Sequence, residues 1–463
     1  MSSDKITNRA EKRTVLLVAA IASFLTPYTG SAINLALPAI GREMEINAVL
    51  LGWVATVYLL SSAVFLVPFG RLSDIVGRRK VFLSGMVIFS VSSVLCAFAN
   101  NISSLLIFRT FQGAGSAMIF ATGFAILTSV FPQKERGRAM GVAIAAVYAG
   151  LSLGPLTGGI LTEYLGWRSI FLFTVIPGAV AIIFVVSKIK KEWAESKGEP
   201  FDIPGSVIYG ASLFLIIFGL SDLPSFRGII FVLSGSLAFS FFVHIEKNTA
   251  YPVMNIQLFR RNRLFALSNL AAFIHYSSTF AVAFLLSLFL QSVKGFSARD
   301  AGLIMVFQPV VMVIVAPLSG RLSDRFEPRY LSSAGMAITA TSLTFFIFLE
   351  QMSIWMIMSN LLLLGAGLGL FISPNTNAIM SSVEKRYVGI ASGSMGTMRL
   401  LGQMFSMGLV MLIFSVFIGR EEITQGNTKE FLETLPLLFS ILSGLCFFGI
   451  FASYARGNIR INL

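Results

Sequence analysis

Apolar residues arrive along this chain in runs near the ~20 residues needed to cross the hydrocarbon layer of a bilayer, separated by short polar breaks. Isolated runs of that length in lipid must be helices, because every backbone amide has to be satisfied within its own segment. The pattern predicts an all-α polytopic membrane protein with fourteen spans, near 14–36, 48–69, 81–99, 104–129, 139–162, 169–187, 204–221, 228–245, 264–290, 301–319, 330–349, 353–374, 388–418 and 434–454. An even count puts both termini on one side.

The short break Gly70–Arg79, reading GRLSDIVGRR, must be a tight hairpin joining spans 2 and 3. Its first five letters recur at Gly320–Asp324, an offset of 250 residues, and Gly85-Met86 recurs as Gly335-Met336 at the same offset. Gly141 and Gly154 of span 5 align with Gly389 and Gly402 of span 13 at an offset of 248. Spans 1–6 (within 1–187) and 9–14 (within 264–463) are therefore expected to be two repeats. A linker and an inserted pair, spans 7 and 8, occupy 188–263. Parallel six-helix halves with a cavity between them are a transporter plan. The charged stretch 188–203, with Glu192, Glu195 and Glu199 among its lysines, reads as a solvated linker without function.

Composition agrees. Over 463 residues, 55% are hydrophobic, only 12% are charged and the mean hydropathy is +0.81, where soluble domains carry roughly 25% charged residues. The net charge of +13 does not call for nucleic acid. With the N-terminus inside, 26 of the 35 Lys/Arg fall on the cytoplasmic side, 7 outside and 2 within spans. That asymmetry fixes the orientation, both termini cytoplasmic, and leaves no basic surplus seeking a polyanion. Cys96 and Cys446 sit in apolar runs, so neither a disulfide framework nor a metal site is indicated. No cofactor and no cleavable signal are expected. The first apolar run follows a polar segment and is too long for a signal core.

Chemistry-bearing residues are few. In the hairpin, Asp74 can cap the positive end of a neighbouring helix and Arg78 can tether to another acid, with Gly70, Gly77 and Arg79 shaping the turn. Gly320 and Asp324 are their second-half partners. Span 4 opens LLIFRTFQGAGSA, and an arginine there, Arg109, must face a wet cavity, a partner or, by snorkelling, the interface, since a centred charge costs about 2.5–3.5 kcal/mol. Span 5 carries Gly141, Gly150, Gly154, Pro155, Gly158 and Gly159. Glycines at these intervals make a groove for close helix approach, and the proline frees a carbonyl and bends the helix.

These motifs carry a resemblance. GRLSDIVGRRK resembles the loop 2–3 signature of the major facilitator superfamily, and Arg109 with Gln112 and Gly113 resembles its span 4 motif, which implies a part in proton coupling for Arg109. The span 5 pattern G-x8-G-x3-GP-x2-GG is similar to that of its antiporter branches. GWRSIF with Pro177-Gly178, PVMNIQLFRRNRLF and GFSARDAG are similar to stretches of the fourteen-span drug:H+ antiporters. The resemblance covers essentially the whole chain. It implies a major facilitator fold and a proton-coupled exporter of amphipathic small molecules.

One departure bears on mechanism. That family commonly carries a span 1 aspartate five residues before the Asn of a VNVALP-like run. Here the run is INLALP and the aligned residue is Thr29. No Asp or Glu lies in the middle of any predicted span. Asp74, Glu163, Asp222 and Glu246 near helix ends, and His275 in span 9, remain as titratable candidates beside Arg109. His275 is either a hydrogen-bonded packing residue or a proton carrier. Missing an inward acid weakens any expectation of strongly cationic drugs.

Cavity candidates are the polar and aromatic residues within spans: Tyr28, Asn34, Tyr58, Gln112, Tyr148, Tyr276, Gln308, Asn375, Asn377, Arg399 and Gln403. Arg109 and Arg399 together predict a positive pocket favouring anionic or zwitterionic amphiphiles. The phenylalanines and methionines are expected mostly to face lipid or pack. The expected function is export of amphipathic small molecules in exchange for protons, by a monomer in the cell membrane, in contact with lipid. A lipid or lipid-precursor exporter, an uncoupled facilitator and a non-transporting receptor or scaffold are the alternatives. An enzyme is not expected, since no clustered His/Asp/Glu set or nucleophile motif occurs.

Overall fold

A computed structural model describes residues 9–249, 251–254, 256–323, 325–383, 388–418 and 428–457. Among them no strand occurs, and fourteen helices are long and apolar enough to cross a membrane. Spans 1–8 are Arg9–Met44, Ala48–Val76, Arg78–Ala97, Ile102–Val130, Gln133–Leu165, Arg168–Lys188, Ile203–Asp222 and Phe226–Glu246. Spans 9–11 are Arg263–Val293, Ala298–Ser323 and Pro328–Gln351. Spans 12–14 are Ile354–Ser381, Val388–Phe417 and Thr428–Ala455. Span 9 closes on a π-helical turn, Phe289–Val293, and span 11 on a 3-10 turn, Phe346–Gln351.

The helices outrun the apolar runs that announce them. Span 1 continues past residue 36 to Met44, because a helix keeps its backbone paired beyond the hydrocarbon. The extension presents Glu43, which accepts from Trp167 Nε1 (2.7 Å) and Arg168 Nη1 (2.6 Å) of the GWRSIF turn. At this end, opposite the described termini and hereafter the far end, the polar breaks serve as caps. Asn47, Asn101, Ser225, Ser297 and Ser353 each accept a backbone N–H one turn into the following helix.

The two halves repeat each other's packing. Span 4 lies along spans 2 and 3, and span 12 along spans 10 and 11. Gly113 meets the Tyr58 carbonyl of span 2, and Gly365 the Gln308 carbonyl of span 10, so closely that a Cβ at either position would overlap the oxygen. A Cβ on Gly85 would sit 3.0 Å from the Gly115 carbonyl, and one on Gly335 2.8 Å from that of Gly367. Ser73 Oγ donates to the Gly70 carbonyl and Ser323 Oγ to that of Gly320, both at 2.7 Å. Small residues bring helix backbones together where lipid gives no hydrophobic drive to associate, so the same solution recurs at matched positions.

Spans 7 and 8 pack on each other, and span 7 braces both halves. Tyr209 donates its hydroxyl to the Ala63 carbonyl of span 2 (3.2 Å), while Ile217 and Leu220 lie against Gly408 of span 13.

Candidate transport cavity

Between the halves lies a cavity of about 310 Å³ walled by spans 1, 2, 4 and 5 on one side and 9, 10, 12 and 13 on the other. Asn34, Tyr58, Tyr148, Tyr276, Gln308, Arg399 and Gln403 reach its wall. Tyr28, Gln112, Asn375 and Asn377 do not, which corrects the expectation that they face it. Tyr28 is fully buried between Phe24 and Phe173, its hydroxyl 3.1 Å from Thr157 Oγ1. Gln112 accepts from Arg109 and donates to Ser93 Oγ, both at 2.8 Å. Asn375 donates to the Ser268 carbonyl (3.1 Å), and Asn377 to Ser323 Oγ (3.1 Å). In an apolar surrounding a side-chain amide takes the helix-to-helix partner within reach.

The walls also hold residues expected to face lipid or pack: Phe120, Phe124, Phe280, Met140, Met305, Met312, Met380 and Met395. Ser116, Phe120 and Phe124 recur every fourth residue on one face of span 4, a spacing that would have found them. Phe124, Met140, Met380 and Met395 carry the cavity toward the end where the termini lie.

Among the described lining residues Arg399 is the one charged side chain. Its guanidinium lies 4.4 Å from the Phe120 ring centroid, and its Nε has no hydrogen-bond partner. Arg109 does not join it. Fully buried, it donates from Nε to the Val54 carbonyl (3.1 Å) and from Nη1 to Gln112 Oε1 (2.8 Å). It also lies 4.7 Å from the Tyr58 ring centroid and 5.8 Å from that of Phe171. Tyr58 therefore offers the cavity an edge while its face covers Arg109.

At the far end the span 5 signature meets two neighbours. Gly150, Gly154 and Gly158 lie against span 1 at Phe24, Ser31 and Ala32. Gly159 touches the Ala298 carbonyl of span 10, and the Pro155 carbonyl touches Gly302. Glu163 Oε2 accepts from Ala298 N–H (3.2 Å), Ser287 Oγ donates to the Asn34 carbonyl, and Gln291 Nε2 donates to that of Leu35 (3.2 Å). The far mouth is sealed. Gly141, at the opposite end of the helix, faces open space and takes no part in that seam.

At the termini end the hairpin is held by the stretch that reads as an inert linker. Arg78 donates to Asp74 Oδ1 (2.9 Å), Ser129 Oγ (2.7 Å) and Glu195 Oε1 (2.7 Å). Its backbone N–H donates to the Trp193 carbonyl (2.8 Å) and that of Arg79 to Glu192 Oε1 (2.8 Å). Arg79 Nε reaches the Ile189 carbonyl and Arg71 pairs with Glu199. The linker is thus a strap over the hairpin. Gly77, at φ +126°, has Glu192 where a side chain would go, whereas Gly70 and Gly320 have ordinary room for a Cβ. Asp324 lies outside the described residues, and so do the surroundings of Gly389.

None of the titratable candidates lines the cavity. Asp74 is paired with Arg78. His275 is fully buried, 4.0 Å from the Phe371 centroid, with neither ring nitrogen hydrogen-bonded. Glu163 is in the far seam, and Asp222 accepts from Ser225 Oγ (2.7 Å) in a turn. Glu246 accepts from Met254 N–H (3.0 Å), and its other oxygen faces Asp202 beside Gly205. Thr29 is buried, its hydroxyl donating to the Leu25 carbonyl (3.0 Å). A further arginine, Arg456, reads as part of the C-terminal tail but is 2% exposed, donating to Asn375 Oδ1 (2.6 Å), Ser332 Oγ (2.9 Å) and Ser268 Oγ (3.3 Å). Burial pulls its pKa down to about 10, so it stays charged at neutral pH.

The sequence profile described as Major Facilitator Superfamily matches residues 19–407 and 269–456. The chain belongs to that superfamily. This member is 29% identical over 441 residues to the riboflavin transporter RibZ of Clostridioides difficile, covering 95% of this chain and 96% of the relative. It is 27% identical to the multidrug transporter protein MdtP of Bacillus subtilis (98% and 83% covered) and 29% to a tetracenomycin C resistance and export protein of Streptomyces glaucescens (82% and 71%). Among solved structures, a bacterial homologue of the lysosomal transporter Spinster, inward-facing, superimposes with a TM-score of 0.71 at 16% identity, covering 97% of each chain. A D-xylose-proton symporter gives 0.68 at 14%, covering 95% and 97%. This superfamily member is a multi-pass membrane transporter, not an enzyme.

Proposed function

We propose that this transporter exports amphipathic small molecules across the cell membrane by alternating access, with its termini in the cytoplasm. The observation that carries the reading is one cavity walled by both halves, extending toward the termini end and shut at the far end by the seam between spans 5 and 10. Binding from the cytoplasm, closure over the Asp74–Arg78 hairpin and opening of the glycine seam complete the outward half of the cycle. The aromatic and methionine walls suit varied apolar bodies, and the volume is at the lower end of drug-sized sites. A relative named for tetracenomycin C resistance and export supports the direction of transport, and the span 5 signature, similar to that of antiporters, supports antiport, in which a proton returns.

A cavity wall without a carboxylate among the described residues favours a second form, transport uncoupled from protons. Reconstitution in liposomes with an imposed pH gradient separates the two. Antiport predicts gradient-driven accumulation of dye or drug that is lost in Asp74→Asn, and uncoupled transport predicts movement indifferent to the gradient. No movement of a broad panel of amphiphiles would leave a receptor or scaffold.

A further inference from the structure

Among the described residues Arg399 stands in the cavity without a counter-charge. Its guanidinium lies over the Phe120 ring, its Nε has no partner, and Tyr58, Tyr148 and Tyr276 line the same cavity. Arg109, the other arginine within a predicted apolar run, is bonded away behind Tyr58 and cannot share a ligand. A lone guanidinium in a membrane interior is costly to keep, and it repels any cation entering the site. Its fork of N–H donors instead matches a carboxylate, sulfonate or enolate, and the ring walls suit a flat conjugated body.

We propose, resting on the export reading above, that the cavity takes planar organic anions, with the acidic group on Arg399, and that the membrane potential drives their export. The charge balance is simple. With the anion bound the cavity is neutral while it turns outward. With the anion released it carries the single positive charge of Arg399, and an inside-negative potential pulls that charge back toward the cytoplasm. One negative charge leaves per cycle, with no proton and no second substrate, so the cavity needs no titratable carboxylate. A potential of about 100 mV sustains a concentration ratio of about fiftyfold for one charge.

The full-length chain in proteoliposomes tests this, with potassium gradients and valinomycin setting the potential at equal pH on both sides. Anilinonaphthalene sulfonate is the anionic probe and ethidium the cation. The sulfonate is expected to leave faster under an inside-negative potential, slower under the reverse, and to approach the fiftyfold ratio at equilibrium. Arg399→Gln is expected to lower its efflux at least tenfold. Arg399→Lys, which keeps the charge and loses the fork, is expected to keep the potential dependence with a raised KM. Ethidium moving in place of the sulfonate would overturn the anion site and leave export standing. So would Arg399→Gln exporting the sulfonate like wild type, or sulfonate efflux that follows a pH gradient at zero potential and ignores the potential. Neither probe moving under any gradient overturns export and the anion site together.

Discussion

Arg109 makes no ion pair among the described residues, yet it ties span 4 to the Val54 carbonyl and Gln112, with Tyr58 and Phe171 over its faces. Truncating it strands the buried Gln112 amide oxygen and leaves a cavity between the Tyr58 and Phe171 rings, while the Val54 carbonyl keeps its partner within the helix. Arg109→Ala is therefore expected to destabilise the protein by about 3 kcal/mol, and Arg109→Lys to recover only part, because an ammonium cannot serve both acceptors and both rings. Thermal unfolding of the purified protein in detergent checks both. His275 should behave oppositely. Its ring nitrogens have no partner, so Leu in its place strands nothing, and His275→Leu is expected to stay within about 1 kcal/mol of wild type and to keep transporting. Loss of transport with stability intact would make His275 a proton carrier after all. A sequence flags such residues because a charged or titratable letter in an apolar run is conspicuous. It does not say which way each one turns, since Arg109, Arg399 and Asn375 all read as polar interruptions while only Arg399 lines the cavity. Arg456 was not legible at all, because a basic residue just beyond a span ordinarily means solvent.

The hairpin and its strap are a matter of elements. Gly70, Asp74, Gly77 and the arginines announce a built turn, but nothing in the letters of 189–199 says which arginine each glutamate will meet. A run of Lys and Glu has the same composition solvated or docked. The contacts answer it, with Glu192 on the Arg79 N–H, Glu195 on Arg78 and Glu199 on Arg71. Gly77 is where the strap is most exacting, since a side chain there meets both a left-handed backbone angle and the Glu192 carboxylate. Gly77→Ala is expected to cost about 1–3 kcal/mol from the backbone alone and to push Glu192 off the Arg79 N–H. A fall in melting temperature together with faster protease cutting between residues 189 and 201 is the signature. A melting change without faster cutting would mean that the strap does not depend on the turn.

At the scale of the whole molecule the number of spans and the two-fold repeat were legible, because bilayer thickness fixes run length and matched glycines mark matched helix crossings. The conformation was not, because one set of helices serves both an inward and an outward arrangement. In this conformation the far mouth is crossed by close approaches, among them Gly302 against the Pro155 carbonyl and Gly159 against the Ala298 carbonyl. Gly302 has no room for a Cβ while this seam is closed, and parting spans 5 and 10 would remove the obstructing carbonyl. Gly302→Val should therefore penalise the closed seam and spare the open one, and about 1.4 kcal/mol of such difference shifts the population tenfold. A reporter is at hand: Cys96 and Cys446 are buried, and Gln308 lines the cavity. In a Gln308→Cys background, a membrane-impermeant maleimide added from the face opposite the termini should label slowly, and about tenfold faster once Gly302→Val is added. Labelling from the face that carries the termini should slow in parallel, because the two arrangements share one population. If labelling from the far face stays unchanged while the protein remains folded, the glycine seam is a packing contact and the gate lies elsewhere.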